Sequence, residues 1–119
     1  MEKRQGFVVK NNEGRMVGCI SFSDYIPEQD ITIHCFIDPE YHGKWATKSI
    51  YNVIFDYAFE HLGVNRVSGF SVVGVTDRAG RFLEALGFKK EGTLRQRIKR
   101  TDGFYDVNLY GLLKNERRW

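Results

Sequence analysis

The run Pro39-Glu40-Tyr41-His42-Gly43-Lys44-Trp45-Ala46-Thr47 sets a glycine and a lysine between a strand-like stretch and the start of a helical pattern. The first N–H groups of a helix have no partner within it, and the helix dipole adds partial positive charge there. Gly43 lets the backbone approach a ligand closely, while Lys44 and Lys48 add charge, so a pyrophosphate is a natural guest. Upstream, His34 carries an imidazole that titrates near neutrality and can act as a general base. A histidine hydrogen-bonded on a sheet face is the other reading. His34 and Cys35 are neighbours on one strand and point to opposite faces, and neither has a second ligand at a recognised spacing, so no metal site is expected. Arg95, Arg97 and Lys99 alternate with other residues and would form one stripe, fit for an acidic acceptor or simply solvated.

These residues need elements to hold them. Gln5–Lys10 and Arg15–Ser23 predict a hairpin around the turn Asn11-Asn12-Glu13-Gly14, with Met16, Gly18, Ile20 and Phe22 on one face. Tyr25–Gln29 is expected to be a loop. Asp30–Ile37 is the next strand, with Ile31, Ile33, Cys35 and Ile37 on one face and Thr32, His34 and Phe36 on the other; Pro39 stops it. From about Lys44 to His61 apolar residues recur at helical spacing, and Gly63 ends the run. Its aromatics Tyr51, Phe55, Tyr57 and Phe59 suit core and rim. Arg66–Val73 is a strand. A second helix spans about Asp77–Leu86, capped by Thr76 or Asp77 and ended by Gly87. Strands near Thr93–Arg100 and Tyr105–Leu113 flank the turn Thr101-Asp102-Gly103. The order β-β-β-α-β-α-β-β predicts the α/β (α+β) class, with a mixed, mostly antiparallel sheet in a single domain over 1–119.

Composition agrees with such a fold. The chain has 119 residues, 42% apolar and 28% charged, enough for one modest core and typical of soluble globular proteins. No apolar run approaches the roughly 20 residues that span a membrane, and the charged start is not followed by a signal-peptide core. A cytoplasmic setting is expected, with Cys19 and Cys35 as buried free thiols. From Lys89 onward nine Lys/Arg stand against four Asp/Glu, which leaves a basic end. That bias is too weak, and too free of motifs, to make nucleic acid the expected partner.

The ordered segments resemble the GNAT superfamily of N-acetyltransferases, nearest to the branch that acetylates ribosomal-protein N-termini and small amines. The similarity rests on Asp38-Pro39-Glu40-Tyr41-His42-Gly43-Lys44-Trp45-Ala46-Thr47, Asp56-Tyr57-Ala58-Phe59-Glu60-His61-Leu62-Gly63 and Val64-Asn65-Arg66-Val67. It continues through Phe82-Leu83-Glu84-Ala85-Leu86-Gly87-Phe88 to Lys89-Lys90-Glu91-Gly92-Thr93-Leu94-Arg95, and closes with Gly103-Phe104-Tyr105-Asp106-Val107-Asn108-Leu109-Tyr110-Gly111-Leu112-Leu113.

The resemblance implies acetyl-CoA as co-substrate and an amine acceptor: a protein N-terminus, a lysine or a small amine. It implies that His42, Gly43, Lys44, Trp45, Ala46 and Thr47 cradle the pyrophosphate. It also implies that a backbone N–H near Phe36 or Ile37 polarises the thioester carbonyl, and that His34 lies on the strand lining the active site. Thr76 stands near the place of a family asparagine that contacts CoA, and Leu83 stands where relatives often keep an acidic tyrosine. Trp45 and Thr47 depart from the small residues of the family loop. The indole would either block the pyrophosphate or turn into the core. Short GNAT-like proteins, many from bacteriophages, read similarly here, so a bacterial cell or a phage-infected host is the expected setting. The family's first strand and two helices have no counterpart before the first hairpin. The acceptor pocket is therefore expected to be open or completed by a second copy in a homodimer. The alternative is a catalytically inactive GNAT-fold binding or structural protein, of viral origin like those short relatives.

Overall fold

The computed structural model describes residues 5–37, 48–74 and 78–118, and the chain divides into two compact units, one ending at Asn65 and one spanning Arg66–Arg118. In the first unit β1 (Gln5–Lys10), β2 (Met16–Ile26) and β3 (Asp30–Ile37) pair antiparallel, β1 with β2 and β2 with β3. Asn11 fixes the first turn. Its Oδ1 accepts from the N–H groups of Glu13 and Arg15, each at 3.0 Å, and Gly14 takes φ +81°. β2 continues beyond Ser23 to Ile26, into the expected loop. The chain then reverses in a tight turn, where the Gln29 N–H donates to the Ile26 carbonyl at 2.9 Å. Pro27 sits where a fixed φ favours the turn, and Glu28, at φ +66°, takes the position glycine usually fills.

One face of these strands buries Val9, Ile20, Phe22, Ile31 and Ile33. Met16 departs from the expected pattern: it is 61% exposed, whereas Val17 is 3% exposed. The ladder pairs Val9 with Gly18 and Lys10 with Met16, so Val17 is an extra, bulged residue and the alternation slips by one.

The buried face is covered by α1 (Lys48–Phe55), and the continuation Asp56–His61 is wound as a π-helix rather than as more α-helix. The Leu62 N–H reaches the Tyr57 carbonyl at 2.9 Å, the i→i−5 bond of that wider turn. Phe55 and Phe59, with centroids 6.1 Å apart, are fully buried with Ala58, while Val53 faces solvent. Each buried phenyl contributes roughly 1.5–3 kcal/mol relative to exposure. Tyr57 stacks on Phe22 at 5.7 Å and meets the edge of Phe7 at 5.2 Å. Residues 44–47, part of the expected first helix, lie outside the described residues.

The second unit contains β4 (Arg66–Val72), α2 (Arg78–Ala85), β5 (Lys89–Arg100) and β6 (Gly103–Leu113). β6 pairs antiparallel with β4 on one side and β5 on the other. β5 and β6 begin earlier than the sequence pattern predicted, at Lys89 and Gly103. Gly87, at φ +100°, ends α2: its N–H donates to the Glu84 carbonyl and the Phe88 N–H to the Leu83 carbonyl, each at 3.0 Å. This is the Schellman arrangement, and Leu83 and Phe88 are both buried beside it. Arg66 grips Glu91 through Nη2–Oε1 at 2.6 Å and Nη1–Oε2 at 3.2 Å. β5 is exposed along nearly its whole length and slips register twice, between Lys90 and Gly92 and between Leu94 and Ile98. At the second slip Gln96 adopts φ +51° and its N–H donates to Asp106 Oδ1 at 2.7 Å. This slip breaks the alternation that would have aligned Arg95, Arg97 and Lys99. The element order β-β-β-α-β-α-β-β and the α/β class stand as expected.

Leu83 of α2 lies over Gly69 of β4. A Cβ there would lie 3.0 and 3.1 Å from the two Leu83 Cδ atoms. Gly69→Val is expected to cost roughly 1–3 kcal/mol by overpacking. The loss should shrink when Leu83 is first truncated to Ala, because the two sites share one space. Urea denaturation of the four-member cycle measures this, and additive losses would show that the side chains do not compete.

Candidate functional site

Alternation along β2 and β3 sorts the candidate residues. Ile20 opposes Cys35 and Ser21 opposes His34, so Cys35 lies on the face under α1 and His34 on the other. His34 does not stand alone there. Its Nε2 lies 2.6 Å from Ser23 Oγ, and Ser23 Oγ donates to Asp24 Oδ2 at 3.0 Å. Ser23 is buried, at 8% exposure, which makes its two polar contacts the means of satisfying an otherwise costly hydroxyl.

Asp24 owes its position to the backbone. The β2–β3 ladder pairs Ser23 with Thr32 and Ile26 with Asp30, so Asp24 and Tyr25 together face one residue. Asp24 takes φ +55° in this bulge, a left-handed conformation more usual for glycine. Aspartate tolerates that region better than most residues because its short polar side chain can bond locally, as it does here with Ser23. The result is a Ser-His-Asp cluster in an unusual order, with serine in the middle. The carboxylate is bonded to the hydroxyl, so it does not orient the imidazole directly as in the hydrolase triad.

On the opposite face Cys35 is a free thiol, half-buried like Cys19. Burial pushes its pKa up from 9.0 to about 12, and the nearby Cys19 adds to the shift. Tyr51 on α1 is raised as well, by burial first and then by the Cys35 thiolate charge. A thiol held protonated in this way is a poor nucleophile, so Cys35 belongs with the packing. Among the described residues no group of three or more His, Cys, Asp or Glu is arranged to hold a metal, and no helix is long and apolar enough to cross a membrane.

Of the other site residues expected from sequence, Phe36 is on β3 and 69% exposed, and Ile37 closes that strand. His42, Gly43, Lys44, Trp45, Ala46, Thr47 and Thr76 lie outside the described residues. Leu83, at the place of the expected acid, is 5% exposed and packs toward Gly69, so it supplies no proton. The sequence pattern missed Ser23 and Asp24: Ser23 ends the expected strand, and Asp24 falls between that strand and the expected loop. The adjacent hydroxyl and carboxylate were visible, but the bulge that aims them was not.

Comparison with known proteins adds a second line of argument. Residues 1–88 match the acetyltransferase (GNAT) family. The uncharacterized N-acetyltransferase YoaA of Bacillus subtilis (strain 168) is 32% identical over 78 residues, covering 66% of this chain and 44% of YoaA. The chain thus spans less than half the length of that relative, and 57% of another, YjcK, from the same organism. The fold is that of a GNAT-family acetyltransferase from Bacillus anthracis, with TM-score 0.78 and 24% identity over 93% of this chain and 67% of that one. A mutant form of spermidine N-acetyltransferase SpeG from Vibrio cholerae superposes with TM-score 0.81 and 22% identity, over 92% of this chain and 65% of SpeG.

The raised Cys35 pKa predicts a pH dependence. Between 9.0 and about 12 the folded chain keeps a proton that the unfolded chain has lost, so stability falls as pH rises above 9.0. Urea denaturation between about pH 8 and about pH 10 should show a steeper loss for the wild type than for Cys35→Ala. Equal slopes would mean that the thiol is not desolvated.

Proposed function

Because the chain belongs to the acetyltransferase (GNAT) family, we propose that it is an N-acetyltransferase that moves the acetyl group of acetyl-CoA to a primary amine. The observation that carries this reading is the family match across residues 1–88, which takes in Met1–Asn65 of the first unit and with it His34. Support for the acceptor class comes from a neighbour of the same fold named for spermidine. A polyamine is thus the first small amine to test, beside a lysine side chain and a peptide N-terminus. The co-substrate is pooled in the cytoplasm, which is where the activity would operate.

The chemistry asks for a neutral amine, an aligned thioester and donors to the developing oxyanion. The amine nitrogen attacks the carbonyl carbon, the C–S bond breaks, and its electron pair leaves on sulfur. A thiolate with an ordinary pKa near 8.5 leaves readily at neutral pH, so a buried leucine at position 83 is compatible with turnover. In this reading His34 takes the proton released by the amine, the chain at 42–47 with Thr76 binds the pyrophosphate end of CoA, and the backbone at Phe36 or Ile37 polarises the carbonyl. Leu83 also suits the second reading, a non-catalytic module of the same fold.

Calorimetry and thermal denaturation with acetyl-CoA separate the two. Ligand at 100 times its Kd should stabilise the fold by about 2.7 kcal/mol, and CoA release with spermidine or a peptide amine should follow. His34→Gln should lower kcat by about 10²–10⁴-fold while still binding acetyl-CoA. No stabilisation at millimolar acetyl-CoA, together with no CoA release, would sink the enzymatic reading. Stabilisation without release from any amine would favour the non-catalytic module.

A further inference from the structure

From Lys89 onward the chain carries nine Lys/Arg and four Asp/Glu, and each of those carboxylates has a local use. Glu91 is held in the Arg66 fork. Glu116 pairs with Lys89 and accepts from the Leu113 N–H. Asp102 accepts from the Tyr105 hydroxyl. Asp106 stands opposite the bulge of Arg95, Gln96 and Arg97, yet its Oδ1 accepts from the Gln96 N–H and forms no ion pair with either guanidinium. All four acids are thus engaged. Of the cations on β5, only Lys89 has a carboxylate partner among the described residues.

Lys90, Arg95, Arg97, Lys99 and Arg100 are all exposed. From Arg95 to Arg100 successive cations are at most two residues apart, about 7 Å along a strand and within the roughly 8 Å screening length of physiological salt. Like charges held this close repel, and an anionic partner relieves that repulsion. An apolar group stands among them: Phe104, the ladder partner of Lys99, is 59% exposed.

We propose that the hairpin of β5 and β6 is a docking surface for an acidic polypeptide segment that carries an apolar side chain. The guanidinium groups of Arg95 and Arg97 suit bidentate pairing with carboxylates, Lys99 adds a point charge, and Phe104 beside it takes the apolar side chain. The two breaks in the β5 ladder mean that the segment is held by side chains and not as an added strand. A single-stranded nucleic acid fits less well, because it calls for successive open aromatic faces. Arg100 lies over the Tyr105 ring, 5.9 Å from its centroid, which leaves Phe104 as the open ring next to the turn.

Fluorescence anisotropy of the full chain with a fluorescein-labelled, glutamate-rich peptide containing a phenylalanine tests this. The peptide should bind at about 0.02 M salt and several-fold more weakly at about 0.15 M. The same peptide with glutamine in place of glutamate should not bind. Arg95→Gln combined with Arg97→Gln should weaken binding roughly tenfold with an unchanged thermal midpoint. Lys10→Gln combined with Arg15→Gln removes the same charge from the first unit and should change affinity less than about twofold. Phe104→Ser should weaken binding of the phenylalanine peptide and leave an alanine version unaffected. No binding at low salt, or binding of the glutamine peptide, would overturn the proposal. Equal losses in the two charge variants would overturn it too, by showing that net charge alone is read. Tighter binding to oligothymidylate or to phosphatidylserine vesicles than to the acidic peptide would replace the polypeptide with another polyanion and reject it as well.

Discussion

The antiparallel register of β2 against β3 puts Ile20 opposite Cys35 and Ser21 opposite His34. Side chains alternate with a period of two, so a slip of one residue would send His34 under α1 and expose the Cys35 face to water. That register is held by what it buries. Ile20, Phe22, Ile31 and Ile33 lie against one side, and Tyr57 of the π-helical turn stacks on Phe22. The His34 face is thus specified from behind: the apolar side chains buried on the other side of the strands decide which way the imidazole points.

The two faces of β3 illustrate opposite uses of burial. Cys35 is desolvated without a charged partner, and the environment therefore keeps it neutral and inert. His34, one residue earlier, is supplied with a hydroxyl and a carboxylate in series. Neighbours in sequence end up in opposite electrostatic surroundings because the strand separates them. The same economy holds in the second unit, where Gly69 gives up a side chain so that Leu83 can approach, and Leu83 in turn anchors the end of α2 with Phe88.

Much of this was legible before the structure. Alternation identified β3 and its two faces, Asn11 and Gly14 marked the first turn, and Gly87 marked the end of α2, because each is a local signal with a local cause. The bulges were not legible. Val17, Asp24 and Gln96 each add residues to one strand of a pair, and a count of residues along one strand cannot reveal what its partner omits. The π-helical stretch also escaped: the apolar spacing of Tyr57, Ala58 and Leu62 fits an α-helix, and the wider turn shows only in the bond from the Leu62 N–H to the Tyr57 carbonyl. The Ser23–Asp24 pair depends on one of these bulges, so the site was half readable. Its imidazole stood out in the sequence, and the groups that hold it did not.

The irregular course of β5 has a consequence for how the molecule behaves in a crowded solution. An outer strand is a template: a stray chain can add to its free backbone groups and seed an aggregate. A visitor to β5 would meet a ladder broken at Glu91 and again at Arg95–Arg97, with the Gln96 amide already turned back onto Asp106. It would also have to desolvate lysines and arginines along the way. No uninterrupted stretch remains that is long enough to nucleate a foreign sheet, so the least covered strand of the second unit is also the one most guarded against misassembly.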